Sequence, residues 1–296
     1  IAYLFRDVTA TTGTTILTCD TLKFFSREDR ILSNGNPHVR DDDYDLVADS
    51  IIVFTEQDSG VAIGRVRLQQ KGQTIYADRI EYEKNPDQDG VSYTAIGQVA
   101  IEDSSRTATC GRARYERTKE VTTLELEPEI KENGRILSGE KIILTYKNEN
   151  LETLHIPEKA HGITPVQGYK NTESDSLVIQ DSVQFFDDME SSVLTGYFVE
   201  GSLDSMRLEG MATSLYHIFE DSLYQGRNET SGDTIIITFL NNDLDKLTVI
   251  GGSQGTYTPD KAGAGVEFPI TYSADKICYR VPVEETDLAG QAKIKH

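Results

Sequence analysis

Apolar residues recur at every second position over much of this chain, and the alternation changes phase at regular places. The stretch TIYADRIEYE, Thr74 to Glu83, shows the step. Ile75 lies two places before Ala77, whereas Ile80 and Tyr82 lie three and five places after it. Period-two alternation is strand behaviour. A phase change at one small residue predicts an inserted residue or a bend, and a small side chain suits the crowded inside of that bend.

The step recurs. Small-then-acidic pairs stand at Cys19-Asp20, Ala48-Asp49, Ala77-Asp78, Gly139-Glu140, Gly232-Asp233 and Ala274-Asp275. Cys110-Gly111 and Gly210-Met211 keep the small residue, and Gln180-Asp181 keeps the acid. The first five small positions, 19, 48, 77, 110 and 139, are 29, 29, 33 and 29 apart. Periods of this length signal a repeat architecture. Three places on come Leu22, Ile51, Ile80, Ala113, Ile142, Val183, Thr213, Ile235 and Ile277. Five places on come Phe24, Val53, Tyr82, Tyr115, Leu144, Phe185, Leu215, Ile237 and Tyr279, so Thr213 alone departs from an apolar or aromatic rule.

A glycine often opens a second strand sixteen residues past the small position, at Gly35, Gly64, Gly196 and Gly290, or four residues later, at Gly97 and Gly252. The pattern predicts an all-β fold: an elongated antiparallel β-jellyroll, or two-sheet stack, of about nine two-strand repeats with an apolar interior. No segment sustains a 3.6-residue period, so few helices are expected. Cys19 and Cys110 read as small residues in the small slot. The rhythm breaks over 157–174, where two prolines and two glycines predict an irregular loop. It divides a first jellyroll segment of five repeats, 1–156, from a second of four, 175–296, continuous with the first. A second irregular stretch is expected over 251–269. The chain ends after the second strand of a repeat and reads as part of a longer protein.

Composition narrows the function. The charge is 29 − 49 = −20, which argues against nucleic acid and against docking on an anionic bilayer. No stretch reaches the roughly 20 apolar residues of a membrane helix, and residues 1–5 are too short for a signal peptide. Three cysteines without a CxxC spacing indicate neither a disulfide framework nor a zinc site.

Units such as IYADRIEYE…AIGQVAIED, GDTIIITFLNNDLDKLTVIGG and YSADKICYR…LAGQAKIKH resemble the OstA/LptA family of lipopolysaccharide-transport proteins, rung by rung over most of the chain. That family also supplies the periplasmic N-terminal domain of LptD-type translocons. The resemblance implies a β-jellyroll with an open apolar groove, and a periplasmic, outer-membrane-associated setting. It also implies lipopolysaccharide or a related lipid as ligand, and other jellyroll transport proteins as partners through edge-to-edge strand addition. The groove residues it implies are Leu22, Phe24, Ile51, Val53, Ile80, Tyr82, Tyr115, Ile142, Leu144, Val183, Phe185, Ile235 and Ile237. No catalytic residue, cofactor or metal is expected.

Other motifs carry less. GGSQG around Ser253 fits the nucleophile-elbow pattern, but TYTPDKAG after it will not form the required helix. NPDQDG (85–90) resembles the front of a calcium loop, yet Ile96 stands where a bidentate Glu is needed. DDDYD (41–45) is another acidic turn. His155 and His161 are near each other but lack metal-ligand spacing. The competing readings are a structural or adhesive β-repeat that binds proteins through open sheet edges, and a carbohydrate-active β-repeat enzyme with no identifiable acid pair.

Overall fold

The computed structural model describes residues 1–295 apart from 71, 86–89, 149, 175–176, 242, 261–267 and 284. Among these, the regular elements are strands, with two three-residue 3-10 turns at Arg117–Lys119 and Val281–Val283. Among the described residues pairing is antiparallel apart from one parallel contact, Tyr169 with Leu223. The expected all-β class is what forms. The chain divides into two compact units, Ile1–Asn133 with Lys141–Glu149, and Gly134–Glu140 with Asn150–His296.

In the first unit the phase changes are register breaks. The strand Gln73–Asn85 pairs with Gly90–Glu102 through Tyr76↔Ala100 and then Arg79↔Ile96, so the two strands advance unequally between those pairs. Its pairing with Ser59–Gln70 shifts at the same level. Ala77 and Ile80 are both buried, while Asp78 and Arg79 between them are exposed. Two successive outward residues are what reverse the phase.

The break also divides each strand between two sets of partners. Thr15–Phe25 pairs its first limb with His38–Arg40 and its second with Arg30–Asn34. Arg106–Glu116 does the same with Glu129–Glu132 and Val121–Glu125. One long ribbon therefore contributes to two sheet faces, as the repeat predicts.

The second unit corrects three expectations. Residues 160–174, read as an irregular loop, belong to the strand Ala160–Ser174, which pairs residue for residue with Leu177–Ser191. The alternation there is hidden because one face carries Ala160, Gly162, Val166 and Gly168. A Cβ on Gly162 would meet Met189 Cγ at 2.8 Å, and Gly168 lies under the Phe219 ring. Small residues face large partners, so no hydrophobic period shows.

Gln180-Asp181 is not a corner, because that register runs through it without a break. The corner is Ser191-Ser192, where the Ser192 N–H and Oγ both donate to the Gly210 carbonyl at 3.0 Å. Gly210 thus takes the glycine role, with φ 79°, rather than the small-then-acidic one. Thr213 is exposed for that reason. Lastly, the start of the expected irregular stretch 251–269 is part of the strand Asp243–Pro259. Residues 86–89 of NPDQDG lie outside the described residues.

Candidate functional site

In the first unit, cross-strand pairs join the repeat positions into one unbroken file. It runs Leu22, Ser33, Ile51, Ala62, Ile80, Ala95, Ala113, Leu124, Ile142 across nine strands. Every member is buried. Ser33 is polar, and its Oγ has no hydrogen-bond partner among the described residues. At about 4.8 Å per strand, eight steps span roughly 38 Å.

A second file lies two residues along: Phe24, Ile31, Val53, Gly60, Tyr82, Tyr93, Tyr115, Thr122, Leu144. It is less covered. Phe24 is 37% exposed, and Val53, Tyr82 and Tyr115 are half-buried. The tyrosines form a ladder, with ring centroids 5.5 Å apart for Tyr82–Tyr93 and 6.5 Å for Tyr93–Tyr115. Burial pushes the Tyr93 phenol up to about 12. Burial also raises Tyr44, helped by the charge of Asp41.

The other limb carries an apolar file that the candidate set omitted: Leu17, Val39, Leu46, Leu68, Ile75, Ile101, Ala108, Ile130. The signal was available. Leu17, Leu46, Ile75 and Ala108 each stand two places before a small corner residue. Leucine, isoleucine and valine side chains each contribute about 1.5–3 kcal/mol when fully buried, so these files are the main source of stability.

In the second unit the equivalent file is Ile156, Leu194, Leu208, Ile235, Val249, Ile277. All six are essentially closed to solvent. Ile237 is buried in the next file, paired with Met206 and Leu247. Val183 and Phe185 do not join these files. They pair with Gly168 and Val166, and Phe185 stacks on His217 at 4.6 Å and Tyr224 at 4.5 Å.

Asp187 lies beside that cluster. Its Oδ1 accepts from the His217 backbone N–H at 2.8 Å and lies 2.9 Å from Nδ1. Burial raises its carboxyl pKa despite these bonds. In the same unit Asn228 Nδ2 donates to the Tyr216 hydroxyl at 2.6 Å, and the Tyr272 hydroxyl donates to Asn228 Oδ1 at 2.8 Å. Asn228 is thus locked inside. Ser253 is buried within a strand, its Oγ donating to the Asp275 carbonyl at 3.4 Å, so it forms no nucleophile elbow.

Cys19 and Cys110 occupy the buried small slots, and burial raises both thiol pKa values, Cys110 to about 11. At Cys110-Gly111 the acid is missing for a steric reason. Leu126 projects over that corner, and a Cβ on Gly111 would meet Leu126 Cβ at 2.8 Å.

In the first unit these features define a two-limbed antiparallel β-stack with apolar files along each limb. Residues 47–150 match the sequence family described as LptA/(LptD N-terminal domain) LPS transport protein. That segment, which contains the corners at 48–49, 77–78, 110–111 and 139–140, is OstA/LptA-like, as its repeats indicate. No curated protein matches this chain. Among solved structures, LptH, described as the LptA homologous periplasmic component of the lipopolysaccharide transport device from Pseudomonas aeruginosa, is 14% identical. The alignment covers 46% of this chain and 79% of LptH, with a TM-score of 0.22.

Proposed function

We propose that this chain is a noncatalytic periplasmic lipid-transport module whose apolar interior shields the acyl chains of lipopolysaccharide or a similar amphiphile. The observation that carries the reading is the pair of files in the first unit. One is fully buried and holds the stack together. Its neighbour, with Phe24, Val53, Tyr82 and Tyr115, keeps apolar and aromatic surface partly open. A buried CH₂ contributes about 0.8 kcal/mol, so an acyl chain of about a dozen carbons gains on the order of 8–10 kcal/mol before ordering costs. No catalytic group is needed for that. The family match over 47–150 supports lipopolysaccharide as the lipid class and the periplasm as the compartment.

Partners of the same fold add by strand pairing. The strand Ala2–Thr12 has its described pairing with Thr15–Phe25, and Tyr3, Leu4 and Phe5 near its start are exposed. Such an edge accepts a strand of another jellyroll.

The test places a photo-crosslinking amino acid at Phe24 or Tyr82, in the partly open file, and, separately, at Arg79 or Glu81, in cells that make lipopolysaccharide. Lipid adducts are expected at the first pair and not at the second. Equal labelling of both pairs would overturn the proposal. Mass spectrometry of organic extracts of the native protein supplies the independent check, with co-purifying lipid expected.

A further inference from the structure

We propose that His161, Asp188 and Glu190 form a binding site for a divalent transition-metal ion, with zinc as the best-matched ion. The hairpin of Ala160–Ser174 and Leu177–Ser191 builds it. His161 stands directly opposite Glu190 in the register, and Asp188 lies two residues from Glu190 on the same face. Their donor atoms all lie within 4.8 Å of one another. His161 Nε2 and Asp188 Oδ2 are already 2.7 Å apart. Tetrahedral ligands about 2.1 Å from zinc sit roughly 3.4 Å apart, so small side-chain rotations suffice to seat an ion among the three.

The donor chemistry selects the ion. One imidazole with two carboxylates suits zinc and its neighbours, whereas calcium and magnesium prefer oxygen alone. The charge balance asks for a cation as well. Among the described residues no lysine or arginine pairs with Asp188 or Glu190, and the partner of Asp188 is the His161 ring. A net charge of −20 raises the local concentration of cations around the whole chain.

The three protein donors leave one tetrahedral position open. Asp188 also lines an open cleft of about 520 Å³, together with Thr213, Ser231, Glu229, Gln254 and Thr230. The cleft lets water reach Asp188 from solvent. Sequence spacing could not show this site, because His161 is 27 and 29 residues from its partners and only strand pairing joins them.

The test is calorimetric titration of the full chain with zinc chloride in chelator-free buffer. One zinc per chain is expected, with affinity reduced at least tenfold in H161Q, D188N and E190Q and unchanged in H155Q. Metal-free thermal melts check that each variant folds. Cobalt(II) gives a second readout: the visible band of a tetrahedral site, present in the wild type and lost in E190Q, where the backbone pairing is untouched. Unchanged zinc affinity in an H161Q/E190Q double variant, calcium binding as tight as zinc, or no uptake at all each overturn the assignment.

Discussion

The Asp78 carboxylate occupies the space that a Cβ on Gly97 would need, and its Oδ2 accepts the Gln98 N–H at 3.2 Å. The same relation joins Asp20 to Gly35, Asp49 to Gly64, Asp233 to Gly251 and Asp275 to Gly290. The acid of one corner thus covers the glycine of the next strand's corner. Gly97 has φ 105°, a conformation that side chains disfavour, so two constraints meet at one residue. Gly97→Ala is expected to destabilise by about 1–3 kcal/mol. Asp78→Ala alone loses one exposed hydrogen bond, about 0.5–1.5 kcal/mol. Because deleting the carboxylate also removes the clash, the double variant should fall short of the sum by at least about 0.5 kcal/mol in urea melts. Strict additivity would mean that the corners are independent.

The two files of the first unit should separate in a truncation series. Ile142→Ala is expected to cost about 2–5 kcal/mol, since Ile142 is 0% exposed and leaves a cavity. Phe24→Ala removes a larger side chain from a partly open position and should cost about 1 kcal/mol or less. Chemical denaturation measures both, and equal losses would show that the second file is ordinary core.

Alkaline stability should report on Tyr93. Its folded pKa of about 12 exceeds the ordinary phenol value. The neutral phenol's contribution is therefore complete below about pH 10 and lost as pH rises through the folded value. Tyr93→Phe should flatten that part of the stability profile, followed by urea melts and by phenolate absorbance.

Asp187 acts at the other end of the scale. Its carboxyl pKa is raised by burial, so the protonated form favours the fold. This contribution is complete below about pH 3.9 and declines as pH rises through the folded value. Asp187→Asn keeps an oxygen to accept the His217 N–H and should remove the decline. A wild-type profile identical to that of the variant would show that the His217 contacts fully compensate the buried charge.

Much of this architecture was legible because a strand's period is two, and a single extra outward residue leaves an unmistakable change of phase. Ala77, Ile80 and Tyr82 announced a corner without any partner being known. The same reading misplaced 160–174, where Gly162 and Gly168 face Met189 and Phe219, because small residues write no hydrophobic signal of their own. It also passed over Ser191-Ser192, since a serine can cap a neighbouring carbonyl as the aspartates' backbone does.

The chain's own pattern determined the strand period, the corner positions of the first unit and the apolar character of the interior, all of which depend on near neighbours. Tertiary structure alone decided which corner meets which glycine, where Val183 and Phe185 pack, and that His161 stands beside Asp188 and Glu190. Those are contacts between residues far apart in the chain, and only the pairing register brings them within reach.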